Sequence, residues 1–527
     1  MGRKYRNPLI NPLHYATTQL HTGPPVTYAA AQRGLTSYDY VIVGAGAAGC
    51  VLANKLSEDK NVSVLLLEAG GDNTKVFESK DPILFAKLLH SQHDWDYYTV
   101  EQPSLANRSL YWPRGKILGG SSSLSAMMYH HASKSDFDER AATHGCKGWS
   151  YSDLAPFLQA CNVRVTRVLF DQITTKEPTA IGVEFQTSRR GDRFEVHARR
   201  EVILSGGAVN TPQTLLLSGI GPADTLKAHG IPIIREGEAV SRNLKDHLCT
   251  TPVLVKAKDG LTLDYLANEA RAILALARWM LTGSDPLSSN AGEAAACIRS
   301  TDYHFPQTVN TPNDFTSRKN APDIEIIGAP LASIHHGEEK PLDNSSIFSI
   351  APIGLRPQSH GTVTLKSRDV FDAPIIDPKY FTDKGDNDRS VLLIGLRVCL
   401  DIIQSPAFIE YFEPIPSNDD PSSYWWPASS SNIEKITDEQ LLRFMDEKAF
   451  TLYHPVGSAR MGPSPATSVV DLECRVHGVK CLRIMDASVF PEHISGHPTA
   501  PIAAMAAKLS AMIIERMGDA SPVGANL

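Results

Sequence analysis

No run of about 18 uncharged apolar residues occurs in the 527-residue chain, so no segment reads as a membrane-spanning helix. The nearest candidate, residues 270–281, is broken by Arg271 and Arg278. Basic excess is missing too: 51 Lys and Arg face 58 Asp and Glu, a formal net charge of −7. With no basic stripe, that argues against a nucleic-acid binder. The eight cysteines are scattered, without CxxC or any metal-ligand spacing. They read as buried free thiols, with no metal site. Residues 1–36 lack the apolar core of a secretory signal, and Arg6 stands where a myristoylation motif needs Ser or Thr. They are expected to form an extended or poorly ordered arm, and the protein to be soluble and cytoplasmic. Internal repeats and low-complexity tracts are also lacking. What remains is globular composition, 42% hydrophobic and 21% charged, at a length that predicts two or more domains.

The most informative stretch present runs from Tyr38 to Asp72, YDYVIVGAGAAGCVLANKLSEDKNVSVLLLEAGGD. Tyr40–Val43 is a short apolar run and predicts a buried strand. It leads into Gly44, Gly46 and Gly49, then a helix-like stretch to Ser57 and a second apolar run, Val62 to Leu67, ending in Glu68. Gly44 permits a tight turn. Gly46 lets the backbone approach a pyrophosphate, and Gly49 lets the helix pack close to the strand. The helix N-terminus then offers free N–H groups to phosphates. Glu68, 19 residues past Gly49, is placed for a carboxylate to accept hydrogen bonds from ribose hydroxyls. Strand, glycines, helix, strand and acid in this order predict a dinucleotide site.

A glycine- and serine-rich loop follows, with Gly119, Gly120 and Ser121–Ser123. Small residues there admit close approach of a flat ligand, and hydroxyls can bond it. Leu124 to Tyr129 is predicted to begin a helix. Val163–Phe170 and Ala180–Phe185 read as paired strands. Glu201–Ser205 reads as a buried strand, followed by Gly206-Gly207 and a helix at Gln213–Leu217. This repeat of the opening order suggests a second contact with the same ligand. Between residues 248 and 449 the pattern weakens. An amphipathic helix is predicted over 261–281, with strands at 323–328, 346–353 and 361–366. Residues 419–432, with Trp425 and Trp426, predict a loop, either over a pocket or packed locally. A strand at Leu482–Asp486 and a small-residue helix at Ala503–Met517 close the pattern.

Several motifs, RGKILGGSSSLSAMMY, GGAVNTPQTLLLSGIGP, VSRNLKDH, PQSHGTVTLKS with IIDPKYF, YHPVGSARMG and GHPTAP, resemble those of the glucose–methanol–choline (GMC) oxidoreductases. The resemblance runs from Tyr38 to Arg516 and is greatest to fungal aryl-alcohol oxidase and choline dehydrogenase-like branches. It implies an α/β fold: a Rossmann-like FAD-binding domain with a second, sheet-based (α+β) substrate domain inserted. The boundaries expected are 37–250 with 451–527 for FAD and 251–450 for substrate. It further implies that Gly44, Gly46, Gly49 and Glu68 hold the ADP half of FAD. Gly119, Gly120 and Ser121 would lie along pyrophosphate and flavin, Val165 at the adenine, and Asp486 and Ala487 near the pyrophosphate. His454 matches the family's catalytic base and His497 its active-site partner. His477 and His493 lack motif support and read as surface or structural residues.

The implied chemistry is oxidation of a small-molecule alcohol, with hydride passing to flavin and a neutral imidazole taking the hydroxyl proton. O2 or a quinone-like compound would accept the electrons. The substrate is expected to be aromatic, allylic or otherwise hydrophobic, in a secondary-metabolite setting. Leu124 stands where one subfamily carries a flavin-linking histidine, so FAD is expected to bind noncovalently. Ser125 replaces a common Asn, and Ser241 a usual Gly. Near Cys161 the chain is several tens of residues shorter than the family pattern. Two other readings stay open, a flavin-containing hydroxynitrile lyase and an inactive FAD-binding remnant.

Overall fold

The computed structural model describes residues 37–73, 76–79, 84–125, 165–171, 177–267, 269–282, 286–289, 292, 294–305, 312–333 and 346–519. The expected N-terminal arm, most of the helix predicted from Leu124, and the short junction around Cys161 lie outside these residues.

The principal elements, in chain order, begin with β1 (Ser37–Val43), α1 (Ala47–Leu56), β2 (Val64–Leu67), β3 (Arg167–Phe170), β4 (Ala180–Gln186), β5 (Arg193–Leu204) and α2 (Gly207–Leu217). Next come β6 (Leu248–Cys249), β7 (Val253–Lys256), α3 (Glu269–Thr282), β8 (Ala294–Ile298), β9 (Ile324–Ala329), β10 (Ile347–Gly354), α4 (Asn387–Gln404) and α5 (Asp438–Lys448). The chain closes with β11 (Phe450–Thr451), β12 (Leu482–Ile484) and α6 (Thr499–Asp519).

Tyr40–Val43 is buried on both faces, as a strand covered by helices requires. β1 sits between β2 and β5, parallel to both, with Val43 opposite Leu67 and Leu204. The six-stranded sheet runs β2-β1-β5-β4-β3, and β12 joins β5 in parallel beyond β4. α6 packs against α1, which the small residues Ala503, Ala504, Ala506 and Ala507 permit; all four are buried.

A second six-stranded sheet is antiparallel, in order β8-β9-β10-β6-β11, with β7 also on β10. α4 covers β10 and β9; a Cβ at Gly395 would lie 2.6 Å from Pro352. Short β6 ties this sheet on one side to β10 and on the other to β11. The chain leaving β11 is the segment that carries His454.

Several expectations shift. The helix predicted from 261 starts at Glu269, after a single 3-10 turn at Asp264–Ala267. α4 and α5 were not anticipated at all. The loop at 419–432 forms, yet neither tryptophan lines the large cavity described below. Trp426 is buried and meets Phe444 edge-on at 5.3 Å, so local packing explains it. The cysteine expectation fails at Cys50, which is disulfide-bonded. Cys249, Cys399 and Cys474 are free and buried, whereas free Cys297 is exposed and free Cys481 partly so.

Candidate active site

A cavity of about 1230 Å³ opens where β1 and β5 end and reaches the second sheet. Gly44–Ala48, Glu68, Gly120–Ser122 and Ser205–Asn210 line one end; Ile327, Leu331, Ala351 and Ile353 line the other. At the first end the backbone comes close to itself. Gly44 has φ +93° and a Cβ there would lie 2.4 Å from Ser205 O, so only glycine makes this turn. Gly120 has φ +55° and a Cβ there would come within 2.8 Å of Gly46 Cα. A Cβ on Gly46 itself would meet nothing within 4 Å. It would project into open space where a ligand's phosphates fit. Ser205 also lines this end, and its buried hydroxyl has no hydrogen-bond partner among the described residues. Open space beside Gly46, an unsatisfied hydroxyl and the start of α1 together suit a pyrophosphate.

At the centre of the cavity the His454 and His497 rings stand 4.5 Å apart at 71°. His454 is anchored three ways. Its backbone N–H donates to Asp246 Oδ1 at 2.8 Å, and its carbonyl faces His493 Nε2 at 2.8 Å. Its Nδ1 lies 3.0 Å from His247 Nδ1. Burial, then neighbouring His497, His247, His493 and Arg114, hold its pKa well below the usual histidine value. His454 is therefore neutral at physiological pH, the state a proton acceptor needs. His497 Nε2 meets the buried Glu325 carboxylate at 3.1 Å. Asp246 is completely buried, accepts from the Tyr380 and Thr451 hydroxyls at 2.5 and 2.6 Å, and has its pKa pushed up to about 6 by burial.

The cavity wall contains Gly44, Gly46, Glu68, Gly120, Ser121, Val165, Asp486, Ala487, His454 and His497 from the sequence-derived set. Gly49 and Gly119 are not on it. Gly49 serves the packing of α1, since a Cβ there would lie 2.0 Å from Gly44 O. Gly119, at φ +101°, makes the turn into the serine loop. Glu68 Oε1 accepts from Gly70 N at 2.6 Å. The Asp486 carboxylate accepts from Gly207 N, Thr211 Oγ1 and Ser488 N, so it ties β12 to the start of α2. Residues 205–208 line the same cavity as the opening glycines, as the repeated strand–glycine–helix order suggested.

Three contributors escaped sequence reading: His247, Glu325 and Asp246. His247 and Asp246 stood in VSRNLKDH, but nothing in that string named their partners. His493, read as either a surface or a structural residue, is buried and structural, its Nε2 lying 2.8 Å from His454 O. His477 is likewise structural, held by Ser468 Oγ at 3.0 Å and Gly462 O at 3.2 Å.

A mixed sheet whose parallel strands β2, β1, β5 and β12 end at a glycine cradle, opening on paired imidazoles, has the arrangement of a dinucleotide-dependent oxidoreductase. The GMC oxidoreductase family models match residues 38–162 and 157–249 for the N-terminal part and 357–506 for the C-terminal part. The chain is 33% identical over 586 aligned positions to "Dehydrogenase str4" of Strobilurus tenacellus, covering 90% of this chain and 94% of that one. It is 29% identical to "Alcohol dehydrogenase [acceptor]" of Pseudomonas putida, over 92% of this chain and 97% of that one. A solved formate oxidase superposes with TM-score 0.80 at 24% identity, covering 92% of this chain and 99% of that one, which shows the shared fold. The chain belongs to the GMC oxidoreductase family. It is an FAD-dependent alcohol dehydrogenase or oxidase. Among the described residues no helix is long and apolar enough to cross a membrane.

Proposed function

We propose that the protein oxidises a hydrophobic primary or secondary alcohol, aromatic or allylic, with His454 as the base and His497 as its partner at the substrate oxygen. The observation that carries this reading is the pair of imidazoles 4.5 Å apart on the wall of the cavity. Bound FAD supplies the hydride acceptor. Gly44, Gly46 and Glu68 would hold its ADP half, with Gly120 and Ser121 along it; all five line the cavity. Ser205 donates its spare hydroxyl nearby. Leu124, which lines the cavity, has no atom able to bond the flavin covalently, which supports noncovalent binding. His454 takes the hydroxyl proton as the donor carbon becomes a carbonyl. The ring of His497, oriented by Glu325, hydrogen-bonds the substrate oxygen. Ile327, Leu331 and Ile353 line the cavity and favour an apolar substrate.

In this reading residues 37–250 with 451–527 form the FAD-binding domain and 251–450 the substrate domain. The electrons leave to O2 or a quinone-like acceptor. The setting is cytoplasmic and serves secondary metabolism.

The test mixes FAD-loaded protein anaerobically with benzylic and allylic alcohols and follows loss of the oxidised flavin absorbance. At least one alcohol should bleach it. His454→Gln should slow that step by roughly 10²–10⁴-fold. Failure of every alcohol, or an unslowed variant, would overturn the proposal.

A further inference from the structure

We propose that His247 is a positioning residue that dictates which nitrogen of His454 carries the proton, leaving Nε2 bare to act as the base. This inference rests on the reading of His454 as the proton acceptor and adds the device that prepares it.

The argument starts from backbone carbonyls, which only accept hydrogen bonds. Two of them, Leu355 O at 3.0 Å and Ile494 O at 3.1 Å, face His247 Nε2. Nε2 must therefore be the protonated nitrogen of His247. That ring has no solvent exposure. Burial, together with His493 and His497, holds its pKa well below the usual value, so it is neutral. A neutral imidazole has one proton, and Nδ1 of His247 is consequently a bare acceptor.

That bare nitrogen lies 3.0 Å from His454 Nδ1. Two lone pairs at that distance would repel, so His454 Nδ1 carries the proton and donates it. Since His454 is neutral as well, its Nε2 is left bare. The proton it later gains there stays on His454. Passing its Nδ1 proton on would make His247 a buried cation.

The ring of His247 is itself immobilised. It stacks on His493 with centroids 3.6 Å apart. The tautomer of His493 is likewise set by the backbone, because Ile494 N donates to its Nδ1 at 2.9 Å. Its Nε2–H then donates to His454 O at 2.8 Å. Backbone groups thus orient both rings that hold His454.

The experiment labels histidine nitrogens in the full-length, FAD-loaded protein and records long-range proton–nitrogen spectra, assigning His454 by its loss in His454→Gln. Two variants accompany the parent. His247→Phe keeps a stacking ring without an acceptor, and His247→Asn restores an acceptor oxygen near the Nδ1 position. The parent should show His454 protonated on Nδ1. His247→Phe should move the proton to Nε2 and lower kcat by roughly 10²–10⁴-fold with KM little changed. His247→Asn should recover the Nδ1 form and most of the rate. A parent protonated on Nε2 would overturn the proposal even if a variant failed to fold. So would a His247→Phe protein that kept the Nδ1 form. The spectra need no substrate, so they separate this inference from the alcohol-oxidation reading.

Discussion

Asp246 precedes His247 in the chain and holds the same histidine from its backbone side, through the His454 N–H. Its carboxyl pKa of about 6 stands above the usual 3.8, chiefly because of burial. The native state then keeps a proton that the unfolded chain releases near pH 4. Stability therefore falls as pH rises from about 4 to about 6 and is flat above, a cost on the order of 3 kcal/mol. Asp246→Asn cannot ionise. The melting temperature of the parent, taken relative to that of this variant, should drop between pH 4.5 and pH 7; a constant difference would refute the assignment. At this scale the sequence singled out His454 and His497 through the strings around them, and the fold brings both to one cavity. It was silent on His247 and Glu325 as members of the site. Their partners are carbonyls and rings brought near by the fold, and no spacing encodes such a meeting.

The turn from β1 into α1 uses its glycines for two different purposes, and substitution should separate them. A methyl group at Gly49 would be driven to 2.0 Å from Gly44 O. Gly49→Ala should therefore lower stability by about 1–3 kcal/mol, as overpacking does. A methyl group at Gly46 meets open space. Gly46→Ala should leave the melting temperature of the flavin-free protein nearly unchanged while weakening FAD binding at least about tenfold, near 1.4 kcal/mol. Titration of FAD into both variants, with thermal melts, checks the contrast. Elements with a strong local signature, β1 and α6, were legible in advance, whereas of β5 only the apolar end from Glu201 was read and Arg193–Arg200 was missed. α4 was not: Val391–Leu400 is an apolar run broken only by Gly395 and Arg397 and buried throughout, and such a run cannot be told from a buried strand by periodicity alone. α5 owes its start to the capping box of Thr437 and Gln440, a signal that was present and went unread.

Across the whole molecule the cavity draws on both sheets, so a ligand filling it should brace them together. Binding to the native state alone raises stability by mass action, about 2.7 kcal/mol at a free ligand concentration of 100 Kd. The melting temperature should climb steadily with added FAD, and a midpoint indifferent to FAD would contradict the cradle described above. The pairing of β12 with β5 and of α6 with α1 has a consequence for how the protein is made. The opening strand–turn–helix leaves the ribosome hundreds of residues before the segments that cover it. Until then its apolar faces are a hazard during synthesis, and contacts so distant along the chain close slowly. A growing polypeptide of this kind has good reason to depend on chaperones until α6 emerges.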